Sequence, residues 1–311
     1  MVYKVKLGIY CCSNGYGHFH RTLQVVENLE EIDVTIHCNE YQYKRFLDKL
    51  PKARYLFYDN SNIRWDNVIK ENKFDYEKYQ KNIKNDIKNI DDYDLVITDN
   101  IIEILRYRKD AIYSGSFLWF DVFEEKFGKN IFSEEEKKLF YDVNPLVVCN
   151  DMMVFGSLKN YKNKLDIGWG SKDNSKSSFK AETFCFIVPS LNYTEDYINK
   201  FLEIREQFKD EYNMSFNINH TENSVFIVRA GLGIINTCVS NKIPMICLYS
   251  DEDSSEIKFL SNRIQELGLG VSLNIKDDLK QKVFDFDEIR NNFKFEMDGY
   301  GKFSRYILEN A

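Results

Sequence analysis

Short apolar runs recur along the chain, each followed by a segment with the spacing of an amphipathic helix. This alternation constrains the fold more than any other feature. Strands that are apolar throughout must be covered on both faces, and helices returning over a parallel sheet do that. The first half carries strand patterns at "KVKLGIYC", "DVTIHC", "RYLFY", "DLVITD", "DAIYSG" and "PLVVCN". Helix patterns follow at "HRTLQVVENLEE", "YQYKRFLDKL" and the long, charged "NVIKENKFDYEKYQKNIKNDIKNIDDY". The stretch 168–183, "GWGSKDNSKSSFKAET", combines Gly, Ser and Lys without apolar periodicity and reads as a linker. Alternation then restarts with "TFCFIVP", "YTEDYINKFLEIREQF", "MSFNIN", "SVFIVRA", "GIINTCVSN", "PMICLY" and "SSEIKFLSNRIQELG", and "GYGKFSRYILEN" predicts a last helix. An α/β chain of two domains is the reading, in keeping with a length of 311 residues.

Charge and cysteine usage narrow the class of partner. The 42 basic against 49 acidic side chains give a net charge of −7, which argues against nucleic acid or an anionic membrane as a whole-surface partner. A local basic run, with Lys44, Arg45, Lys49, Lys52 and Arg54 among aromatic and apolar residues, reads as a helix with a solvated face. It leaves room for peripheral membrane contact at most. The 7 cysteines show no CxxC spacing and sit mostly in apolar runs, as reduced, buried thiols of a cytoplasmic protein do. The start "MVYKVKLGIYCC" has a strand pattern without signal-peptide features, and no apolar run approaches the roughly 18 residues of a membrane span.

The stretch "SNGYGHFHR" joins the first strand to the first helix. A Gly-rich turn there exposes backbone N–H groups at the positive end of a helix, which suits an anion. Gly15 and Gly17 match the first two glycines of a dinucleotide-binding turn, and Glu40 could serve as its acidic ribose ligand. His20, however, stands where the third glycine would allow close helix–strand packing. A chemical site accounts for the turn better. His18 falls at the carboxyl edge of the sheet, where it can act as a general base. Asp99, ending the strand "DLVITD", would fix its tautomer, because carboxyl ends of neighbouring parallel strands share one crevice. A second Gly turn follows the strand "SVFIVRA", where Arg229 adds charge beside Gly231, Leu232 and Gly233.

On "SNGYGHFHRTLQVVENL", "DLVITDN", "IVRAGLGIINTCVSNKIPMICLY", "FLSNRIQELGLGVSL" and "DGYGKFSRYIL", the chain resembles the GT-B glycosyltransferases. It is most similar to the peptidoglycan N-acetylglucosaminyltransferase and UDP-glycosyltransferase branch, with the related UDP-sugar hydrolase of pseudaminic acid synthesis. The resemblance implies two Rossmann-like domains facing a cleft. The acceptor-side domain spans 1–167, a linker 168–182 and the nucleotide-sugar domain 183–297, with 298–311 packing back on the first. It implies a metal-independent, inverting transfer of a sugar from a nucleotide-activated donor, most simply a UDP-sugar, to a glycan, lipid-linked or protein hydroxyl. Such a reaction belongs to glycan biosynthesis at a bacterial cell surface, and neither metal nor other cofactor is needed. His18 would be the base and Asp99 its partner. Gly15, Gly17, Ser190, Asn192, Arg229, Gly231, Leu232, Gly233 and Thr237 would hold nucleotide and phosphate, and Asp251, Glu252 and Glu256 the donor sugar.

Three places depart from the family pattern. Thr237 and Cys238 stand where a glutamate usually binds the ribose hydroxyls, and Leu260-Ser261 replaces an Asn-Ala pair. The first loop of the second half, "VPSLNYTE", lacks glycine, leaving Ser190, Asn192 and Thr194 as its phosphate donors. A nucleotide-sugar hydrolase and a non-catalytic binding protein of the same fold stay open as alternatives.

Overall fold

The computed structural model describes residues 4–59, 65, 68, 71, 73–87, 89–170, 183–187, 195–210, 213–215, 224–278 and 284–311. The chain divides into two compact units, Met1–Gly170 with Asp298–Ala311, and Ser171–Met297. The first unit contains β1 (Lys6–Cys11), α1 (Gly17–Val26), β2 (Asp33–Cys38), α2 (Glu40–Arg45), β3 (Arg54–Phe57), α3 (Tyr76–Asp86) and β4 (Leu95–Asp99). After them come β5 (Ile112–Ser114), α4 (Trp119–Phe127), α5 (Ile131–Val143), β6 (Val147–Cys149) and β7 (Lys164–Asp166). The strands lie in the order β3-β2-β1-β4-β5-β6-β7, and every pairing is parallel. The order reverses between β1 and β4. At such a switch point the connections leave in opposite directions and open a crevice at the carboxyl ends of the strands.

Side-chain alternation along β1 divides its apolar residues between two cores. Leu7, Ile9 and Cys11 face Phe19, Leu23 and Val26 of α1, while Tyr10 belongs to an aromatic core with Trp65, Trp119, Phe132 and Phe140. Each fully buried aliphatic or Phe side chain contributes roughly 1.5–3 kcal/mol. The last helix, Gly299–Asn310, joins the α1 side of the sheet through Tyr300, Phe303 and Ile307. Ser304 Oγ also donates to Val25 O at 2.8 Å. Its start requires Gly299, because a Cβ there would lie 2.5 Å from Ile167 O.

The second unit contains β8 (Thr183–Ile187), α6 (Glu195–Phe208), β9 (Asn213–Ser215), β10 (Ser224–Arg229), α7 (Leu232–Ser240), β11 (Met245–Tyr249), α8 (Ser255–Glu266), β12 (Gly270–Asn274) and α9 (Phe286–Asn291). Its sheet runs β12-β11-β10-β8-β9, again parallel, with the switch point between β8 and β10. Val225, Phe226 and Ile227 on β10 and Met245, Ile246 and Cys247 on β11 have no exposed surface. Continuous burial of this kind marks strands covered on both faces.

Several local expectations change. The helix pattern over 67–93 does not form one helix, since residues 73–75 are non-helical. The Asp75 carboxylate accepts from Lys78 N–H at 2.9 Å and so caps a new start for α3. Asn89 then adopts a left-handed φ of 70°. The mixed-charge run around 121–140 forms α4 and α5, which bury Phe123, Phe132, Phe140 and Glu136. Strands β7 and β12 had no distinct reading in the sequence. Among the described residues no helix is long and apolar enough to cross a membrane.

His37 on β2 sits in the sheet with its ring stacked on Tyr10 at 4.2 Å and its Nε2 2.8 Å from the Tyr93 hydroxyl. Burial, opposed only by Asp86, lowers its pKa from 6.5 to about 4. Between those values the unfolded chain binds a proton that the folded chain does not. The stability present above pH 6.5 is therefore lost as pH falls, by at most about 3 kcal/mol from this residue. Urea unfolding at pH 7.5 and 4.5 should show the loss, and His37→Gln should flatten it. Equal losses in the two proteins would exclude His37 as a source.

Candidate active site

The first site forms at the β1–β4 switch point. Gly15 takes φ +76°, in the left-handed region where a side chain is strained, although a Cβ there would meet no atom within 4 Å. Backbone conformation, not space, is therefore what requires glycine. The helix α1 begins at Gly17, and Tyr16 at its N-cap makes no side-chain capping hydrogen bond. His18 follows, held at the rim of the unit with 14% of its side chain exposed. Asp99 ends β4 with only 2% of its side chain exposed. Parallel pairing sets Cys11 opposite Asp99, so the turn after β1 and the end of β4 are neighbours by register.

His18 Nδ1 lies 2.7 Å from Asp99 Oδ1. Arg21, one helical turn after His18, donates from Nη2 to the same Oδ1, and from Nε to Oδ2 at 3.2 Å. The Thr22 hydroxyl is 3.5 Å from Oδ2. Burial works to raise the Asp99 pKa, but the charges and hydrogen bonds of Arg21 and His18 outweigh it and hold the carboxyl below its usual range. An ionised Asp99 can only accept, so His18 Nδ1 carries a proton, and in the neutral ring the lone pair is then on Nε2. Arg21 Nη2 is 3.4 Å from His18 Nδ1, a contact between two donors in this tautomer and not a hydrogen bond. Desolvation would lower the Arg21 pKa, but Asp99 reverses that and keeps the guanidinium charged.

The dinucleotide reading finds no support here. Glu40 is 58% exposed and paired with Lys44 at 2.9 Å in the first turn of α2, and His20 stacks on Phe46 at 5.4 Å.

In the second unit, Gly231 precedes α7 in extended conformation, with no side-chain cap on the helix. The first intrahelical donor is Ile235, whose N–H reaches Gly231 O at 3.1 Å. The N–H groups of Leu232, Gly233 and Ile234 before it lack that kind of partner, as in the first turn of any α-helix. Thr237 donates its hydroxyl back to Gly233 O at 3.1 Å. Arg229 does not stand as an uncommitted cation beside this turn. Its Nε and Nη2 both lie 2.8 Å from Asp253 Oδ1, while Asp253 Oδ2 accepts from the Tyr197 hydroxyl and from Ser250 N–H at 2.7 Å.

Asp251 is exposed and held by Asn274 Nδ2 at 2.9 Å and Lys276 Nζ at 2.8 Å. Glu252 is exposed, whereas Glu256 is half-buried in the first turn of α8. At that helix start the Ser254 and Ser255 hydroxyls are buried without a hydrogen-bond partner among the described residues, and nothing in the sequence pattern marks them. Leu260 and Ser261 serve the core, since Leu260 is 2% exposed and Ser261 Oγ donates to Cys247 O at 2.8 Å. Ser190, Asn192, Thr194 and His220 lie outside the described residues. Among the described residues no group of three or more His, Cys, Asp or Glu side chains is placed to hold a metal ion.

No protein-family model matches the chain, and no curated protein matches it by sequence. Solved structures do match. The calicheamicin glycosyltransferase CalG4 superposes with a TM-score of 0.60 at 11% identity, over 99% of this chain and 95% of that one. The glycosyltransferase SnogD from Streptomyces nogalater gives 0.61 at 7% identity, over 99% and 100%. UGT89C1 of Arabidopsis thaliana, solved with UDP-L-rhamnose, gives 0.53 at 10% identity, over 99% and 95%. At such identities the likeness is one of fold, and the fold is that of the GT-B glycosyltransferases.

Arg21 and Asp99 form a buried ion pair, and removing one partner of such a pair strands the other charge at a cost of about 3–5 kcal/mol. Arg21→Met should lower unfolding free energy by that amount in a urea titration at pH 7. A loss under about 1 kcal/mol would mean that His18 and Thr22 suffice for Asp99.

Proposed function

We propose that the chain is a metal-independent, inverting glycosyltransferase that moves a sugar from a nucleotide-activated donor to a hydroxyl acceptor. The carrying observation is the His18 Nδ1–Asp99 Oδ1 contact of 2.7 Å at the switch point, with the carboxylate kept ionised. In this reading His18 Nε2 takes the acceptor's hydroxyl proton as the acceptor oxygen bonds to the anomeric carbon. The bond from that carbon to the phosphate oxygen breaks, and the nucleoside diphosphate leaves with the electron pair. One displacement inverts the anomeric centre. Asp99 holds the ring by Nδ1 and stabilises the imidazolium, while Arg21 keeps Asp99 ionised.

The donor falls to the second unit. The N–H groups of Leu232, Gly233 and Ile234 and the positive end of α7 suit a diphosphate, so no divalent ion is needed to offset its charge. UDP or UDP-L-rhamnose accompanies three of the structural neighbours, which supports a nucleotide sugar as the ligand class. Thr237, in the place of the ribose glutamate, makes strict selection of uridine less expected. The polar groups at the start of α8, Glu256 with the Ser254 and Ser255 hydroxyls, are assigned to the sugar.

His18→Ala should lower turnover by about 10²–10⁴-fold, the value of general base catalysis, while the melting temperature stays near that of the wild type. Activity surviving within a few-fold in a folded variant would end the base assignment.

The donor assignment has its own test. Chelator should leave activity intact, and Arg229→Ala should weaken nucleotide binding by roughly 1.5–3 kcal/mol if its guanidinium exchanges Asp253 for phosphate. Asp253→Asn should then bind nucleotide at least as tightly as the wild type. Loss of binding in both variants would instead make the Arg229–Asp253 pair a brace for the loop at 250–254, and activity restored by magnesium after chelation would overturn the metal-free reading.

A further inference from the structure

The turn that carries His18 is held from behind by a side chain outside the catalytic group. Gln42, on α2, has no exposed surface. Its Nε2 donates to Cys12 O at 2.9 Å and to Gly15 O at 2.6 Å, spanning the turn from its entry to its left-handed residue. Its Oε1 accepts from Asn39 N–H at 3.1 Å. These partners fix the amide orientation, since a flipped carboxamide would oppose oxygen to two carbonyls and nitrogen to an N–H. Neighbouring hydroxyls complete the arrangement: Tyr41 donates to Ser13 O, and Tyr58 to Cys11 O at 3.0 Å.

We infer that Gln42 is a positioning residue for the reaction proposed above, setting the Gly15–Gly17 turn and through it the place of His18. The inference rests on that proposed function, because positioning has a chemical meaning only if His18 reacts. Asp99 fixes the imidazole from the Nδ1 side, but His18 enters the site on a helix whose N-cap residue, Tyr16, makes no side-chain capping bond. The backbone before that helix needs its own anchor. Both Gln42 amide hydrogens supply it, at Cys12 O and Gly15 O; the Tyr41 hydroxyl also reaches Gly15 O, but at 3.4 Å against 2.6 Å for Gln42. The hydrogen bonds of Gln42 go to the backbone of Cys12, Gly15 and Asn39 and not to His18 itself, so its effect should fall on the placement of the base.

The test uses Gln42→Met, which keeps side-chain length and removes both donors. Backbone amides of residues 13–18 should exchange hydrogen about tenfold faster than in the wild type, while those of β10 and α7 keep their rates. Turnover should fall by about 10²-fold, the scale of a 1 Å misplacement, with KM for the nucleotide sugar changed by no more than about threefold. Wild-type exchange rates in the turn, or a loss confined to KM, would overturn the inference. Gln42→Glu guards against failure of the Met variant to fold. It keeps the shape and the acceptor for Asn39 N–H, and only its protonated form can donate to the turn. Its activity relative to wild type should therefore rise as pH is lowered, and a ratio independent of pH would count against Gln42. If the wild-type chain transfers no sugar, the proposed function fails, while the exchange measurement still decides whether the turn depends on Gln42.

Discussion

A buried carboxylate needs a matching set of donors, and the first unit is arranged so that Asp99 finds them. Its two oxygens accept from His18 and Arg21, both on α1, while its backbone ends the strand beside β1. If α1 slipped by one residue, this set of donors would be broken up, and a charge left unpaired in a low dielectric costs several kcal/mol. The ion pair thus ties the register of α1 to the register of the sheet. It also lets one histidine sit at the rim in a defined tautomer, where a solvent-exposed pair would sample many geometries.

The two units solve the same problem with different chemistry. Each has a parallel sheet whose strand order reverses once, and each places a Gly turn after a strand at that reversal. In the first, the turn leads to a titratable ring with a buried carboxylate behind it. In the second, it leads to a capless helix whose first N–H groups are its main polar resource, and the nearby guanidinium is taken by Asp253. In the proposed reaction the base and the anion site would therefore be separate in the chain, which suits chemistry that removes a proton from one partner and receives charge on the other.

Much of this could be read from residue order, for reasons particular to each element. His18 and Asp99 could be placed together because each follows the apolar run of a strand, and parallel strands put their carboxyl ends side by side. Arg21 shares a helical face with His18 at a spacing of three, a signal available in the sequence but unused. Gln42 gave no signal, because "YQYKRFLDKL" reads as a solvated helix and the carbonyls that bury Gln42 belong to a loop far away in sequence. The partner of Arg229 was hidden for the same reason. Strand β7 escaped notice because "KLD" has almost no apolar content, and the break before α3 because Asp75 outweighs a run of good helix formers. Ser190 and Asn192 fall outside the described residues and stay where the sequence put them, as expectations.

The last helix has a bearing on how the molecule is made. It covers the same face of the first sheet as α1, and Ser304 and Val25 meet across 279 positions of chain. During synthesis the apolar residues of that face are finished long before their cover exists, and the whole second unit must emerge in between. Since closing a long loop costs free energy only logarithmically in its length, the delay is one of time more than of stability. The nascent first unit spends that interval without Tyr300, Phe303 and Ile307, the apolar side chains that the last helix brings to this core.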